Sequence, residues 1–296
     1  MPETLHIYLH EPLRSRAEAG EINFFNKMAA ALPGWTLRYH EDTEAQRLAA
    51  PLRGYGLFHM QEPPVSTILC LRRAYHYPFW RIEATNERWH FDVAKAAFDP
   101  ADVPMDQAER FFTRWRPKIF RDGPTSRDGF VFMPLQGRLQ HHRSFQSQSP
   151  IDMIRTVLAL WPDRPIKATL HPKEEYSDED HRILARIEAE SPAFQLIQGD
   201  AKDLLATCDL VVTQNSSVAL TGYFAQKPAI LFAGADFHHI AASVWRDGPA
   251  AVRQVPTDPD FIAYLWWFFQ RQSINAGAAD AEERIRERLA RHGFPV

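Results

Sequence analysis

Short apolar runs separated by helix-length amphipathic intervals set the pattern of this chain. Residues 5–9, 35–39, 55–60 and 68–71 read as strands, and residues 20–32 as a helix closed by Pro33-Gly34. The polar stretch with Glu11, Arg14 and Arg16 reads as a loop. Residues 75–100 are rich in aromatics (Tyr75, Tyr77, Phe79, Trp80, Trp89, Phe91) and show little regular period. They read as an irregular connection packed on the sheet, with an aromatic acceptor-binding wall as the functional alternative. A helix over 106–116 ends at Pro117, and residues 122–129 form a turn-rich segment.

Beyond that segment the alternation is cleaner. Strands are expected at 130–135, 166–170, 194–197, 210–213 and 229–232. Helices are expected at 150–161, 178–190, 202–207, 218–225, 261–271 and 282–292, and Ser177 with Asp180 makes a capping signature for the second. The expected fold class is therefore α/β, with two Rossmann-like domains. Residues 1–122 form the first, 129–257 the second, and the helices of 258–296 pack back on the first.

In an open parallel sheet, ligands sit beyond the carboxyl ends of the strands. Three strands of the second half end in polar residues: Gln136, His171 (followed by Pro172), and Asn215 with Ser216 and Ser217. Ser217 is expected to cap the helix over 218–225. A helix N-terminus with hydroxyls and an imidazolium beside it suits a phosphate or phosphodiester. The plain alternative is that both serines only cap the helix. Arg138, His141, His142 and Arg143 offer cationic or proton-transfer groups for an anionic substrate, or else form a solvated loop. Glu174, Glu175 and Asp236 are candidate bases or nucleophiles, or surface carboxylates. His238 and His239 are expected near the same rim.

Composition narrows the function. The 296 residues carry a formal net charge of −3, which does not indicate a nucleic-acid binder. Cys70 and Cys208 make neither a CxxC pair nor a disulfide framework, so a reducing, cytoplasmic setting is expected. The N-terminal residues lack the basic and apolar regions of a signal peptide, and no apolar run is long enough to span a bilayer. There is no Walker A, GxGxxG, HExxH or GxSxG motif and no cysteine-based zinc site. The pairs His141-His142 and His238-His239 are adjacent residues. On a strand their side chains would point to opposite faces, so no metal site is expected from either. The run Trp266, Trp267, Phe268 and Phe269 suits a peripheral membrane contact or, more economically, a helix packed in a domain interface.

The order Pro134-Leu135-Gln136, His171-Pro172, and 209–220 followed by Lys227-Pro228 resembles the bacterial capsule polysaccharide biosynthesis family. That family includes β-Kdo transferases of capsule and lipid-linked glycan assembly. The resemblance covers roughly residues 129–245. It implies a GT-B-like pair of Rossmann-like domains and transfer of a Kdo-like sugar from a CMP-activated donor to a glycan acceptor. It further implies donor binding by Gln136, His171, Asn215, Ser216 and Ser217, with no cofactor and no metal, at the inner face of the inner membrane. Arg138 and Arg143 are then anion-binding candidates. His171, Glu175, Asp236 and His141 are candidates for the catalytic group. One departure stands out: those transferases carry an acidic residue shortly after the Gln that matches Gln136, and here residues 137–151 contain no Asp or Glu. A non-catalytic nucleotide- or glycan-binding scaffold, or an isomerase or hydrolase of nucleotide sugars, are the alternatives on the same fold.

Overall fold

The structure is a computed structural model and describes residues 3–296. In chain order it begins β1 (Thr4–Leu9), α1 (Leu13–Glu18), α2 (Asn23–Ala31), β2 (Thr36–Glu41), α3 (Glu44–Ala49), β3 (Gly56–His59) and β4 (Ile68–Arg73). Next come β5 (Phe79–Glu83), α4 (Asp92–Lys95), α5 (Met105–Ile119), β6 (Val131–Pro134), α6 (Pro150–Leu160), β7 (Ile166–Thr169) and α7 (Asp178–Glu190). Then follow β8 (Phe194–Leu196), α8 (Ala201–Thr207), β9 (Leu210–Thr213), α9 (Ser217–Phe224) and β10 (Ala229–Leu231). The chain closes with β11 (Ala242–Ser243), α10 (Val244–Asp247), α11 (Phe261–Trp266), β12 (Ile274–Asn275) and α12 (Ala281–Arg291).

These elements form two compact α/β units. One holds the described residues up to Ala96 together with Trp267–Val296, and the other is Ala97–Trp266. The division thus differs from the expected 1–122, 129–257 and 258–296. The turn-rich segment 122–129 lies inside the second unit, tied down by backbone bonds from Ser126 to Ala206 (2.8 Å) and from Asp128 to Thr207 (2.9 Å). Helix α5 also belongs there, where Phe112 stacks on Phe224 of α9.

The first unit's sheet runs β12-β5-β4-β3-β1-β2. Its β1 to β4 are parallel, while β5 and β12 are antiparallel to their neighbours. Strand β5 lies in the stretch expected to be irregular. All five of its residues are buried, Arg81 and Glu83 included, so neither alternation nor an apolar run marks it. Helix α1 replaces an expected loop. It carries ion pairs from Arg14 to Glu11 and Glu18 and buries only Ala17, so it has no apolar stripe to read. The expected helix 261–271 is α11 followed by a π-helical turn, Trp267–Arg271. Trp267, Phe268 and Phe269 are buried, with Phe269 against Phe79 of β5 and Arg81 over the Phe268 ring at 4.6 Å. Three of the four aromatics of the run are therefore core, and Trp266 is half-buried. Helix α12 packs on α2 and is pinned by Lys27–Glu282 at 2.9 Å. No described helix is long and apolar enough to cross a membrane.

The second unit's sheet runs β11-β10-β9-β6-β7-β8, and every pair is parallel. In order of appearance this is the doubly wound order 3-2-1-4-5-6, whose strand order reverses between β6 and β9. Strands β6, β9 and β10 are buried throughout, which is why their sequences are continuous apolar runs. Ser177 and Asp180 form the expected capping box at α7.

Candidate functional site

The register of the second sheet aligns the polar strand ends. Pro134 pairs with Thr169, and Phe132 pairs with Val211. Counting forward, Gln136, His171 and Asn215 stand at one level on three adjacent strands, two residues beyond that line. Gln136 and Asn215 face each other across the switch point. The Asn215 backbone N–H donates to Gln136 Oε1 (3.2 Å), and Gln136 Nε2 approaches Asn215 Oδ1 (3.4 Å). Asn215 Nδ2 donates to Gly234 O beyond β10 (2.9 Å). Gly234 N in turn donates to Phe145 O, and Ser147 N to Phe232 O. The loop after β6 is thereby stitched to the end of β10, and the two amides are held rigid.

That loop carries the cationic candidates. Arg143 stacks its guanidinium on Phe145 at 4.8 Å, and its Nε is buried without a hydrogen-bond partner. Burial first, and the nearby Arg138 next, lower its pKa, while Glu174 acts in the opposite sense. Arg138 is exposed and held at φ +59°. Glu174 brings a carboxylate beside Gly137 from the β7–α7 loop. Its side chain lies so close to Gly137 that a Cβ there would stand 3.0 Å from Glu174 Cδ. Gly137 therefore makes room for a carboxylate from the β7–α7 loop.

His171 is exposed and fixed within its own loop. Its backbone N–H donates to Tyr176 Oη (2.9 Å), and its Nδ1 accepts from Lys173 N (3.2 Å). With Nδ1 so used, the neutral ring carries its proton on Nε2. Burial pushes the Tyr176 phenol up, against the hydrogen bond from His171. Next to this loop is a cavity of about 390 Å³ lined by Arg138, His141, Glu175 and Tyr176 together with Gln140 and Asp180. Two catalytic candidates, His141 and Glu175, therefore share one polar cavity. Asp236 does not join them: it is buried beyond β10.

The serines exchange the expected roles. Ser216 is the cap of α9, its hydroxyl accepting from Val218 N (3.3 Å), and it is buried. Ser217 is the first helical residue and is exposed, so its hydroxyl is the one open to a ligand. Lys227 is structural: it is buried and donates to Ser126 O. His238 and His239 lie in a turn, not on a strand, and their rings stack at 4.3 Å, so the premise of opposite faces does not hold for them. His142 is tied to Gln146 O (2.6 Å).

In the first unit Glu11 is exposed and bonded to Ser15, and Glu62 accepts from Thr85 and Asn86, so both have local structural work. Glu83, Asp92 and His292 converge there closely enough to hold a metal ion. Arg288 (2.8 Å) and Arg291 (3.3 Å) already neutralise Asp92, so the charge at this place disfavours a cation. Two residues passed over by the sequence reading, His10 and Asp42, meet at 2.7 Å at the strand ends of the first sheet. The strand-end rule applied to the second half would have found His10, which directly follows the run 5–9.

No protein-family model matches the chain, and no curated protein does. Solved structures do. Thermosulfurimonas dismutans KpsC, a beta Kdo 2,7 transferase, is similar over 97% of this chain and 99% of that one, with a TM-score of 0.59 and 12% identity. The beta Kdo 2,4 transferase structure of the same protein gives a TM-score of 0.48 at 12% identity, over 89% of each chain. The Neisseria meningitidis UDP-GlcNAc 2-epimerase gives 0.32 at 10% identity, over 98% of this chain and 100% of that one. The first of these likenesses extends over both units and is one of fold: the chain has the α/β, GT-B-like fold of two Rossmann-like units.

Proposed function

We propose that this chain is a glycosyltransferase of capsule or surface-polysaccharide synthesis, moving a Kdo-like sugar from a CMP-activated donor to a glycan acceptor. The observation that carries the reading is the switch point of the second sheet. There Gln136 and Asn215 lock together at the level of His171, and the loop after β6 carries an Arg143 guanidinium with a buried, unpartnered Nε.

In this reading the phosphodiester of the donor lies over the strand ends. Arg143 neutralises it, His171 Nε2–H and the Ser217 hydroxyl donate to it, and the N-terminus of α9 adds its dipole. Gln136 and Asn215 are positioning groups, since they spend much of their bonding on each other. As the bond from the anomeric carbon to the phosphate oxygen breaks, charge grows on the departing cytidylate, where these donors would stabilise it. One leaving phosphate needs one guanidinium rather than a metal ion. The cavity beside His141, Glu175 and Tyr176 is of a size and polarity to take a monosaccharide.

The scaffold alternative draws on the missing acid after Gln136, and Glu174 beside Gly137 weakens that ground. Thermal unfolding in CMP, CDP, UMP, UDP and GDP tests the proposal, because a ligand of the native state raises stability by RT ln(1 + [L]/Kd). A rise with CMP that disappears in His171→Ala is expected. A rise with UDP alone would change the donor, and no rise with any nucleotide would sink the reading.

A further inference from the structure

The first unit holds a cavity of about 290 Å³ that the donor reading does not use. The π-helical turn Trp267–Arg271, β12 and α12 all contribute to its wall, together with Asp92 and Ala96 of α4 and the residue after it. Every lining residue belongs to this one unit. Four of them are arginines, Arg271, Arg284, Arg288 and Arg291, against two carboxylates, Asp92 and Glu287. Arg284, Arg288 and Arg291 stand four and three residues apart on α12, so they share one helix face, where like charges repel. Asp92 offsets only part of this charge: Arg288 (2.8 Å) and Arg291 (3.3 Å) both use its one oxygen Oδ2. Arg284 meets Asp280 only at 3.9 Å and donates to the carbonyls of Gln270 and Arg271, which fixes the end of the π-helical turn. Burial first, with Arg291 and Arg81 in the same sense, lowers the Arg288 pKa, while Glu83 and Asp92 act against it. Glu83 itself is 2% exposed, and burial pushes its carboxyl up to about 7, so near neutral pH it carries only part of a negative charge. Guanidiniums stay charged throughout, and the wall of the cavity therefore keeps a surplus of positive charge.

We propose that this arginine-lined cavity binds a phosphate monoester, at a site separate from the donor phosphate of the second sheet. The proposal does not depend on the glycosyl-transfer reading. A phosphate monoester carries about two negative charges at neutral pH and three acceptor oxygens, which suits a wall where four arginines face two carboxylates. Guanidiniums reach the cavity from the π-helical turn on one side and from α12 on the other, so they can donate to different oxygens of one tetrahedral group. A carboxylate offers a single plane and would leave part of that donor set unused. Arg288 is buried and Arg271 and Arg291 are exposed, so the ligand meets the last two from solvent and the first at depth. The volume is at the small end for small-molecule sites and holds the phosphate with a group of about monosaccharide size.

Calorimetric titration of the full chain with inorganic phosphate tests it, at constant ionic strength and in an Arg143→Gln background that removes the cation of the second rim. Saturable binding at millimolar concentration is expected. Arg271→Gln combined with Arg291→Gln should weaken it at least about tenfold, the value of one charge-assisted hydrogen bond. Both side chains are exposed, so this variant should fold, and urea unfolding checks that it does. Arg16→Gln combined with Arg286→Gln removes the same charge from the same unit outside the cavity and should leave binding unchanged. No saturable binding, or binding that the cavity variant leaves intact, overturns the proposal. An equal loss in the control variant also overturns it, because net charge alone would then account for the effect. Sedimentation with vesicles of phosphatidylcholine and phosphatidic acid separates the sources of the monoester. Vesicle binding lost in the cavity variant assigns it to a lipid headgroup, and phosphate binding without vesicle binding assigns it to a soluble ligand. Neither result bears on CMP binding at the second sheet, so failure here and failure of the donor reading are distinguishable.

Discussion

The two sheets end in rims of opposite electrostatic design. On the first, the charges are paired within the rim: Asp42 is buried in ion pairs with Arg47 and His10, although its Oδ2 has no aligned hydrogen bond. On the second, the neutral amides Gln136 and Asn215 satisfy one another, and the cation Arg143 keeps a bare, buried Nε. A closed charge network needs no ligand to complete it and can fix the direction of a proton. The cation Arg143 has Glu174 as a nearby opposite charge but no hydrogen bond at Nε, and an anion would supply one. The same fold rule, ligands at strand ends, thus gives different chemistry according to which side chains are left unpaired.

The largest effect comes from opening the closed rim. Asp42→Ala removes a fully buried carboxylate and leaves Arg47 without its partner. A loss of about 2–3 kcal/mol in urea unfolding is expected. A loss below about 0.5 kcal/mol, the ordinary size of a surface change, would show that the first rim is not closed by this residue.

Acid should weaken the closed rim next. Burial, with Arg72 and Arg73, holds His59 at about 4, below its ordinary 6.5. Between these values the unfolded chain binds more protons than the native one, so stability rises with pH across the window and is lost as pH falls through it. For a group only partly buried the share is about 1–2 kcal/mol. His40, also lowered to about 4 by burial and Arg53, adds to the same slope. His59→Gln should flatten part of the fall in stability between about pH 6.5 and pH 4. An unchanged slope would mean that His59 is not held neutral.

The open rim should respond the other way. Arg143→Gln gives up no hydrogen bond seen from its guanidinium, so stability should stay within about 0.5 kcal/mol. Affinity for CMP should fall about tenfold, the value of one charge-assisted hydrogen bond. Calorimetric titration beside unfolding separates the two. Lost stability with unchanged affinity would make Arg143 a structural residue and erase the contrast between the rims.

The second rim was more legible in the sequence than the first, for a physical reason. Strands β6, β9 and β10 are parallel and buried throughout, so they read as apolar runs, while β7 alternates, and polar residues beyond these strands mark the rim. Gln136, His171 and Asn215 emerge from that reading alone. In the first unit β5 buries Arg81 and Glu83 and so breaks the run. Strand β2 extends to Glu41, past the apolar run 35–39, which hides Asp42 as a strand-end residue. Residues 267–296 join the first unit through β12 and α12, a long-range pairing that no local pattern carries. The turns of 122–129 look like a linker, but backbone hydrogen bonds fasten them to the end of α8. Glu174 was visible only as one acid among several. Its place against Gly137 depends on two loops meeting, and sequence spacing does not report that.

The smallest test divides the two serines. Sequence leaves a cap uncertain by a residue, and the structure gives it to Ser216, whose hydroxyl accepts from Val218 N. Ser216→Ala should cost about 1 kcal/mol of stability, the usual value of a lost cap. Ser217→Ala removes an exposed hydroxyl at the first helical position and should leave unfolding unchanged. Its effect should instead be a few-fold loss of CMP affinity, because a neutral hydroxyl contributes about 1 kcal/mol to a bound phosphate. If Ser217→Ala lowers stability and Ser216→Ala does not, the cap lies one residue later. The hydroxyl open to the donor would then be that of Ser216, and the second rim would be as closed as the first at this position.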